Sequence, residues 1–368
     1  MSVPPPPNQS GSQPPTGGQP AGAPQWGPQP WGSPPGPPQP RGGKGKWIFA
    51  GIALLAVIAV TVVITVLVVG KDSGGGSPTP TNGNGSDIAS ANDKGPVAII
   101  TDDPTCDAWG RVAREYSAQS DAVKWGDRDQ TVPATAWNTE QRSMYEAVSK
   151  AASSAADQAV NLVRLTPHRV MRELYEQFIA YSRAFTGRIP TYTANDRYLA
   201  GTTDGLSSAL AMICSAIDYR SAPTIAPLIP ATAPPSKFAQ VGDANDPHRF
   251  LVGADPVCSD WTSIVDKFSS DTADWRATDP AIPAAQWTPE VKAINDKVAP
   301  IMIAHADDLE RLGRRSDNPT FQDFAVLSAQ YQRAFSKVLP TYTTADFYLG
   351  EAASFLVASV NSACKAAG

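Results

Sequence analysis

The sequence predicts an all-α fold: two tandem, duplicated four-helix bundle-like domains, each closed by one disulfide, behind a single transmembrane helix. Three observations favour it. They are an internal repeat in the C-terminal two thirds of the chain, four cysteines at matching places in that repeat, and an uncharged apolar segment before it. With 368 residues the chain is long enough for two ordinary domains in addition to such a helix.

The first segment, residues 1–46, is predicted to be disordered. It contains 15 Pro and 10 Gly, no acidic residue and only three basic residues. Because so few aliphatic side chains cannot bury enough surface to offset chain entropy, we expect polyproline II character instead of a fold. Preformed polyproline II segments dock readily on aromatic grooves, so this segment is a candidate contact for a cytoplasmic partner.

Residues 47–70 are predicted to form the transmembrane helix. Within them, 22 consecutive residues carry no charge. At about 1.5 Å per residue they span roughly 33 Å, enough for a hydrocarbon core of ~30 Å. A cleaved signal peptide is the alternative, but its apolar region would be shorter and nearer the N-terminus. The basic residues Arg41, Lys44 and Lys46 predict a single-pass protein of the inner membrane, with a cytoplasmic N-terminus and extracytoplasmic C-terminal domains.

Net charge limits the kinds of partner. The chain carries a formal charge of -5, and since the first segment is basic, the remainder is more acidic still. An acidic remainder has no basic patch to neutralise phosphates, which argues against nucleic acid. The predicted partners are therefore the lipid bilayer, through residues 47–70, and proteins of the cell envelope.

The internal repeat organises the rest of the chain. "DDPTCDAW" at Asp102–Trp109 aligns with "ADPVCSDW" at Ala254–Trp261, and after a two-residue contraction equivalent positions differ by 150. A period this long predicts two duplicated domains and not a solenoid. The predicted boundaries are a flexible linker at 71–95, repeat 1 at 96–219, a Pro-rich linker at 220–247 and repeat 2 at 248–368. The short apolar runs before the copies are predicted to be extended arms or short strands.

Each copy is predicted to hold four helices in an up-down-up-down arrangement. Asp103-Pro104 and Asp255-Pro256 predict the first helix start, with the Asp as N-cap and Pro at the first helical position. The second helix follows a shared Trp, the third ends at a shared Pro, and the fourth runs to the second cysteine. Pro300 lies inside the second helix of copy two and predicts a kink or a break there.

The four cysteines are predicted to form the pairs Cys106–Cys214 and Cys258–Cys364. In an up-down bundle the start of the first helix lies beside the end of the fourth, which is where these residues fall. Export across the membrane supplies an oxidising compartment. A zinc site is the rival interpretation, but the sequence has no CxxC and no local Cys/His cluster.

No sequence motif indicates an enzyme. The chain has no Gly-rich phosphate loop, nucleophile elbow or HExxH sequence, and its cysteines are assigned to disulfides. His305 lies on an apolar helical stripe, which favours a core residue over a catalytic base or ligand. We therefore expect a non-enzymatic protein without a cofactor, a metal site or catalytic residues.

A set of polar and aromatic residues common to both copies forms the candidate binding site. Its members are Tyr181, Arg183, Tyr192, Asp196 and Tyr198 in repeat 1, and Tyr331, Arg333, Tyr342, Asp346 and Tyr348 in repeat 2. Arg183 lies about 200° around its helix from Tyr181, so core packing does not account for it. Three interpretations stay open: interaction with the helix C-terminus, an ion pair with Asp196, or a ligand site built from the Arg and the tyrosines.

A repeated Pro-Thr-Tyr-Thr sequence lies within this set. Thr193 and Thr343 fit the N-cap of the fourth helix, and Asp196 and Asp346 fall three residues later. A carboxylate there can accept a hydrogen bond from the N–H of the capping residue and meet the positive end of the helix dipole. The stretch is thus predicted to be a repeated helix-to-helix corner.

The overall layout resembles a known class of proteins. A Pro/Gly-rich head with "PQWGPQPWGSPPGPPQP", one span and an exported Ala-rich domain are similar to proline-rich single-pass membrane proteins of mycobacteria and related actinobacteria, mostly uncharacterised. The resemblance implies a cell-envelope location. Together these observations predict a membrane-anchored envelope protein with a binding or scaffolding role. An extracytoplasmic receptor for a small molecule or lipid is the alternative, and an envelope hydrolase is a third.

Overall fold

The computed structural model of the protein describes residues 88–368. The predicted disordered segment 1–46, the predicted transmembrane helix 47–70 and residues 71–87 of the predicted linker lie outside the described residues. Among residues 88–368, no helix combines the length and the hydrophobicity that a membrane span requires. This described part is all-helical, with no strand, and confirms the predicted fold class at that level.

Repeat 1 forms the four predicted helices. They are α1 Cys106–Ala122, α2 Thr139–Leu165, α3 Arg169–Arg188 and α4 Arg197–Asp218. α1 begins at Cys106 and not at Pro104 as predicted, because Asp103 accepts hydrogen bonds from the N–H and the hydroxyl of Thr105 in a turn that precedes the helix. α2 starts at a capping box in which Asn138 and Gln141 each accept the other's backbone N–H.

Repeat 2 follows the same plan after a short connection. The connection begins with α5 Ser221–Ile225, which lies inside the predicted Pro-rich linker, and the helices of repeat 2 are α6 Cys258–Asp271, α7 Ala273–Arg276, α8 Pro289–Gly313, α9 Pro319–Val338 and α10 Phe347–Ala367. The predicted break at Pro300 does not occur, since α8 runs through it. Val298 and Met302, on either side of Pro300, are both buried and hold the helix on the core. The domain boundaries stay predictions.

The two predicted disulfides are present. Cys106 bonds Cys214 across a Cα–Cα distance of 5.3 Å, and Cys258 bonds Cys364 across 5.5 Å. Each bond joins the first turn of a repeat to the end of its fourth helix, so it closes a loop of more than 100 residues. No cysteine is left free, which excludes the zinc interpretation for these thiols.

The two repeats pack against each other and share one hydrophobic core. α4 and α10 run antiparallel and in close contact, with Gly205 opposite Ser359 and Gly201 opposite Ser362. α3 packs beside α9 next to this pair. The apolar runs before each copy are arms and not strands. The first has no bend, whereas the second bends at Phe250 and Val252, and the side chains of Ile100 in the first and Leu251 in the second are buried. We call the surface between α3–α4 and α9–α10 the seam.

Candidate functional site

The two Pro-Thr-Tyr-Thr stretches form equivalent corners, as predicted. The Thr193 N–H donates to Oδ2 of Asp196 over 2.7 Å, and the Thr343 N–H donates to Oδ2 of Asp346 over 2.8 Å. In each corner the Thr hydroxyl contacts the same carboxylate oxygen at 2.9 Å. Both carboxylates therefore close a turn just before the fourth helix. That helix begins at Arg197 and at Phe347, so Thr193 and Thr343 are not its N-caps as predicted.

Tyr192 and Tyr342 fasten the corner to the loop that precedes the second helix. Their side chains are buried, and their hydroxyls donate to the carbonyls of Gln130 (2.8 Å) and Pro280 (2.7 Å). The Tyr192 carbonyl in turn accepts the Ala134 N–H, and its ring lies 4.8 Å from that of Tyr145. The hydroxyls of both tyrosines, and the ring of Tyr192, are thus engaged in contacts within the fold.

The shared arginines lie away from the corners. Arg183 is 3.5 Å from the Asp157 carboxylate on α2 and donates to the Asn245 carbonyl. Of the three interpretations left open, the ion pair with Asp196 is not formed, because Arg188 takes that place with an Nε–Oδ1 distance of 3.0 Å. Arg183 is five residues further back along α3, about 7.5 Å at the helical rise, and this distance takes it away from the corner.

Arg333 forms shorter ion pairs than Arg183, its counterpart in repeat 1. Its two terminal nitrogens pair with Asp307 and Glu310 on α8, each at 2.7 Å. The side chain is only 20 % exposed, and these contacts tie α9 to α8. A depression of about 270 Å³ lies beside it, between residues 230–233 of the connection and the Glu310 side chain. Since both carboxylates already engage the guanidinium, Arg333 is a brace between helices.

The remaining shared tyrosines lie on the seam. Tyr181 is fully buried, and its hydroxyl contacts the Leu251 carbonyl in the arm of repeat 2 at 3.4 Å. Tyr331 is equally buried and lies near the backbone of Ile100 in the arm of repeat 1, but its hydroxyl has no hydrogen-bond partner. Each copy therefore packs against the arm of the other, with a hydrogen bond on one side only.

Tyr198 and Tyr348 occupy opposite ends of the α4–α10 pair. Tyr348 stacks on Tyr219, with ring centroids 4.8 Å apart, and Tyr219 is 54 % exposed. The Tyr198 hydroxyl accepts a 2.7 Å hydrogen bond from Arg197, with Lys365 5.9 Å from the ring. The ten shared residues are thus distributed over corners, helix braces, the seam and its ends. They do not converge on one pocket.

The seam contains a cluster of charged side chains that the sequence analysis missed. Its members are Arg169, Arg172, Glu173 and Glu176 on α3, and Asp323 on α9, and none is more than 8 % exposed. We call them the seam cluster. Its strongest contact joins the repeats: Arg169 Nε donates to Asp323 Oδ2 over 2.7 Å, and its Nη2 lies 3.3 Å from Oδ1. Arg169 Nη1 also donates to the carbonyls of Asp93 and Gly95 in the first arm.

The other three residues of the seam cluster, Arg172, Glu173 and Glu176, have fewer hydrogen-bond partners than Arg169 and Asp323. Arg172 contacts Glu173 at 3.4 Å and Glu176 at 3.5 Å, and its Nε has no hydrogen-bond partner. Oε2 of Glu173 also lacks a donor. Burial raises the pKa of Glu173 well above its usual value, and the nearby Asp323 carboxylate adds to that shift. Burial likewise raises the pKa of Asp323, and raises that of Glu176 to about 7.

The sequence does place four residues of this cluster on one helix face, but such a pattern is ordinarily interpreted as a solvent-exposed surface. Arg169, Arg172, Glu173 and Glu176 follow the spacing i, i+3, i+4, i+7, which places them on one helix face. Such a polar stripe is typical of a solvent-facing surface. Contacts with α9 and with the segment before repeat 1 bury Arg169, at one end of the stripe. In chemical terms the cluster can hold protons and orient two helices. Elsewhere in residues 88–368, no group of His, Cys, Asp and Glu is placed to hold a metal ion.

Comparison with known proteins gives a family for this domain. The family model described as "Mycobacterial ESX-1 associated protein" matches residues 88–368, which is the whole described part of the chain. The chain is also similar to an uncharacterized protein of Mycolicibacterium smegmatis (strain MKD8), with 45 % identity over 331 residues that cover 89 % of this chain and 87 % of that protein. The aligned length exceeds residues 88–368, so the similarity extends into the N-terminal part. No solved structure matches the chain significantly.

Proposed function

We propose that this chain, which belongs to the family of mycobacterial ESX-1 associated proteins, is a non-enzymatic binding or scaffolding component of the cell envelope that serves the ESX-1 secretion system. The observation that carries the proposal is the extent of the family match. It covers both repeats, the connection between them and the first arm, which together form one packed unit. This extent supports a role for the whole duplicated domain in the proposed association.

The proposed location is the inner membrane, with the N-terminus in the cytoplasm and the duplicated domain outside. The uncharged segment at 47–70 and the basic residues before it support the anchor and its orientation. The two disulfides support an oxidising compartment for the domain. In this arrangement, residues 71–87 separate the domain from the bilayer.

The shared residues make their contacts within the domain, so the proposed binding role does not rest on them. The corner tyrosines and acidic residues are engaged in hydrogen bonds within the domain, and the arginines brace neighbouring helices. The proposed partners are protein components of the secretion system outside the membrane. A cytoplasmic protein that recognises the polyproline II character of residues 1–46 is a further proposed partner.

Crosslinking in mycobacterial cells tests this function. The full chain carries a C-terminal tag, is crosslinked in intact cells and is purified from membranes, and the captured proteins are identified by mass spectrometry. We expect components of the secretion system to be enriched over two controls, an ESX-1 deletion strain and a tagged chain that ends at residue 95. Equal recovery with the chain that ends at residue 95 would assign the contact to the N-terminal part and contradict a role for the duplicated domain.

A further inference from the structure

The seam cluster contains two carboxyl groups at equivalent positions of the two repeats. Glu173 and Asp323 differ by 150, which is the offset of the internal repeat. A two-fold arrangement brings equivalent residues of two like units together at its axis. Both side chains are 0 % exposed, and Arg169, one turn before Glu173 on α3, holds the Asp323 carboxylate at 2.7 Å on the same helix face. The duplication has therefore placed a carboxyl dyad at the centre of the seam.

We propose that this dyad holds one proton and acts as a proton-dependent latch between the two repeats. Two neighbouring buried carboxylates cannot both ionise at low cost, so one of them retains its proton. The protonated group donates to the ionised one, and the shared proton then joins α3 to α9.

The surrounding charges assign the proton to Glu173. The Asp323 carboxylate receives two N–H groups from Arg169, which favour its ionised form. Glu173 receives only a 3.4 Å contact from Arg172, which also faces Glu176 on the same helix. Asp93 in the first arm competes for Arg169 at 3.7 Å and faces Asp323, so it adds further negative charge beside the dyad.

The stabilisation that the latch gives to the contact between the repeats decreases as the pH rises. Burial, followed by the charge of Asp323, raises the pKa of Glu173 above its value in an unfolded or opened chain. Its contribution to stability is therefore complete at low pH and is lost as the pH rises through the raised value. We expect the seam to be tightest in mildly acidic medium and to open more often at alkaline pH.

Amide hydrogen exchange of the full chain, solubilised in detergent, measures this opening. After correction for intrinsic exchange, amides in the first turns of α3 and α9 should exchange increasingly fast with pH. The limit is about tenfold per pH unit while only the open state is ionised at Glu173. Glu173→Gln keeps the donor and cannot ionise, so it should weaken this dependence and leave only the part that Glu176 contributes, whose pKa burial raises to about 7. It should also remove one protonated-carboxyl band from the infrared spectrum in D2O.

Two further variants complete the test. Glu351→Gln removes a partly buried carboxyl in α10 whose pKa is also raised to about 7 by burial, and it should leave the exchange of the α3 and α9 first turns pH-dependent. Asp323→Asn leaves Arg169 without its carboxylate and should speed exchange at every pH. An unchanged pH dependence in Glu173→Gln, or failure of that neutral variant to fold, would overturn the proposal. So would an Asp323→Asn variant that behaves like Glu173→Gln.

Discussion

The contact between α4 and α10 gives the sharpest test of how the two repeats are joined. A Cβ atom added at Gly205 would lie 2.5 Å from the Ser359 hydroxyl oxygen, whereas the Ser359 Cα and Cβ atoms would be 3.5 Å away. The first distance is too short for any real contact, and the second is ordinary packing. Gly205→Ala therefore forces either the two helices apart or the Ser359 hydroxyl away from the Phe355 carbonyl, which it meets at 2.7 Å.

The expected magnitude follows from two opposing effects. Replacing Gly by Ala inside a helix stabilises it by about 1 kcal/mol through backbone entropy. Overpacking a close interface costs about 1–3 kcal/mol. Gly187→Ala is the matched control, because Gly187 lies in the last turn of α3 with nothing within 4 Å of the added atom. It should gain stability, while Gly205→Ala should be less stable than this control by about 1–3 kcal/mol.

Chemical denaturation of the single and double variants measures the effect. In Gly205→Ala/Ser359→Ala the clashing oxygen is gone and the remaining contact is 3.5 Å, so the double variant should recover most of the loss. The double-mutant cycle should then show a favourable coupling of about 1–3 kcal/mol. If Gly205→Ala matches the Gly187→Ala control and shows no coupling with Ser359, α4 and α10 do not pack in this register.

Three further perturbations have defined outcomes. Asp196→Ala removes the corner cap and its pair with Arg188, and should cost about 0.5–2 kcal/mol of unfolding free energy in urea titrations; a neutral result would assign the corner no role in stability. Glu351→Gln should raise stability at pH 8 by up to about 3 kcal/mol and leave it unchanged at pH 4, because burial raises the pKa of Glu351 from 4.5 to about 7 and stability is lost as pH rises through that range. A gain of equal size at both pH values would refute this. Replacing Cys258 and Cys364 by Ser should lower the unfolding free energy by up to about 4–5 kcal/mol, and unchanged thermal unfolding would show that the bond adds nothing.

Several features of the fold follow from local sequence or from the repeat. The alignment of the two copies gave the cysteine pairing, because a bundle with an even number of helices brings the ends of each copy together. The contact between Thr193 and Asp196 could be predicted because the two residues interact within one turn of chain. Other outcomes could not be read from local patterns. Arg188 and not Arg183 meets Asp196, and of the kink or break predicted at Pro300 the break does not occur, in a helix whose neighbouring residues Val298 and Met302 are buried.

The amino-acid sequence by itself determined the helices, the duplication and the disulfides of this protein, since these depend on short-range patterns and on comparison of one copy with the other. Only the tertiary structure decided which polar face would be buried. Arg169 and Glu173 belong to a polar stripe of α3 that would be exposed to solvent on an isolated repeat. Arg169 is buried because the segment before repeat 1 contacts it and because α9, about 150 residues away in the chain, brings Asp323 against it. The contact depends on how the copies dock, and no local pattern within either copy encodes that arrangement.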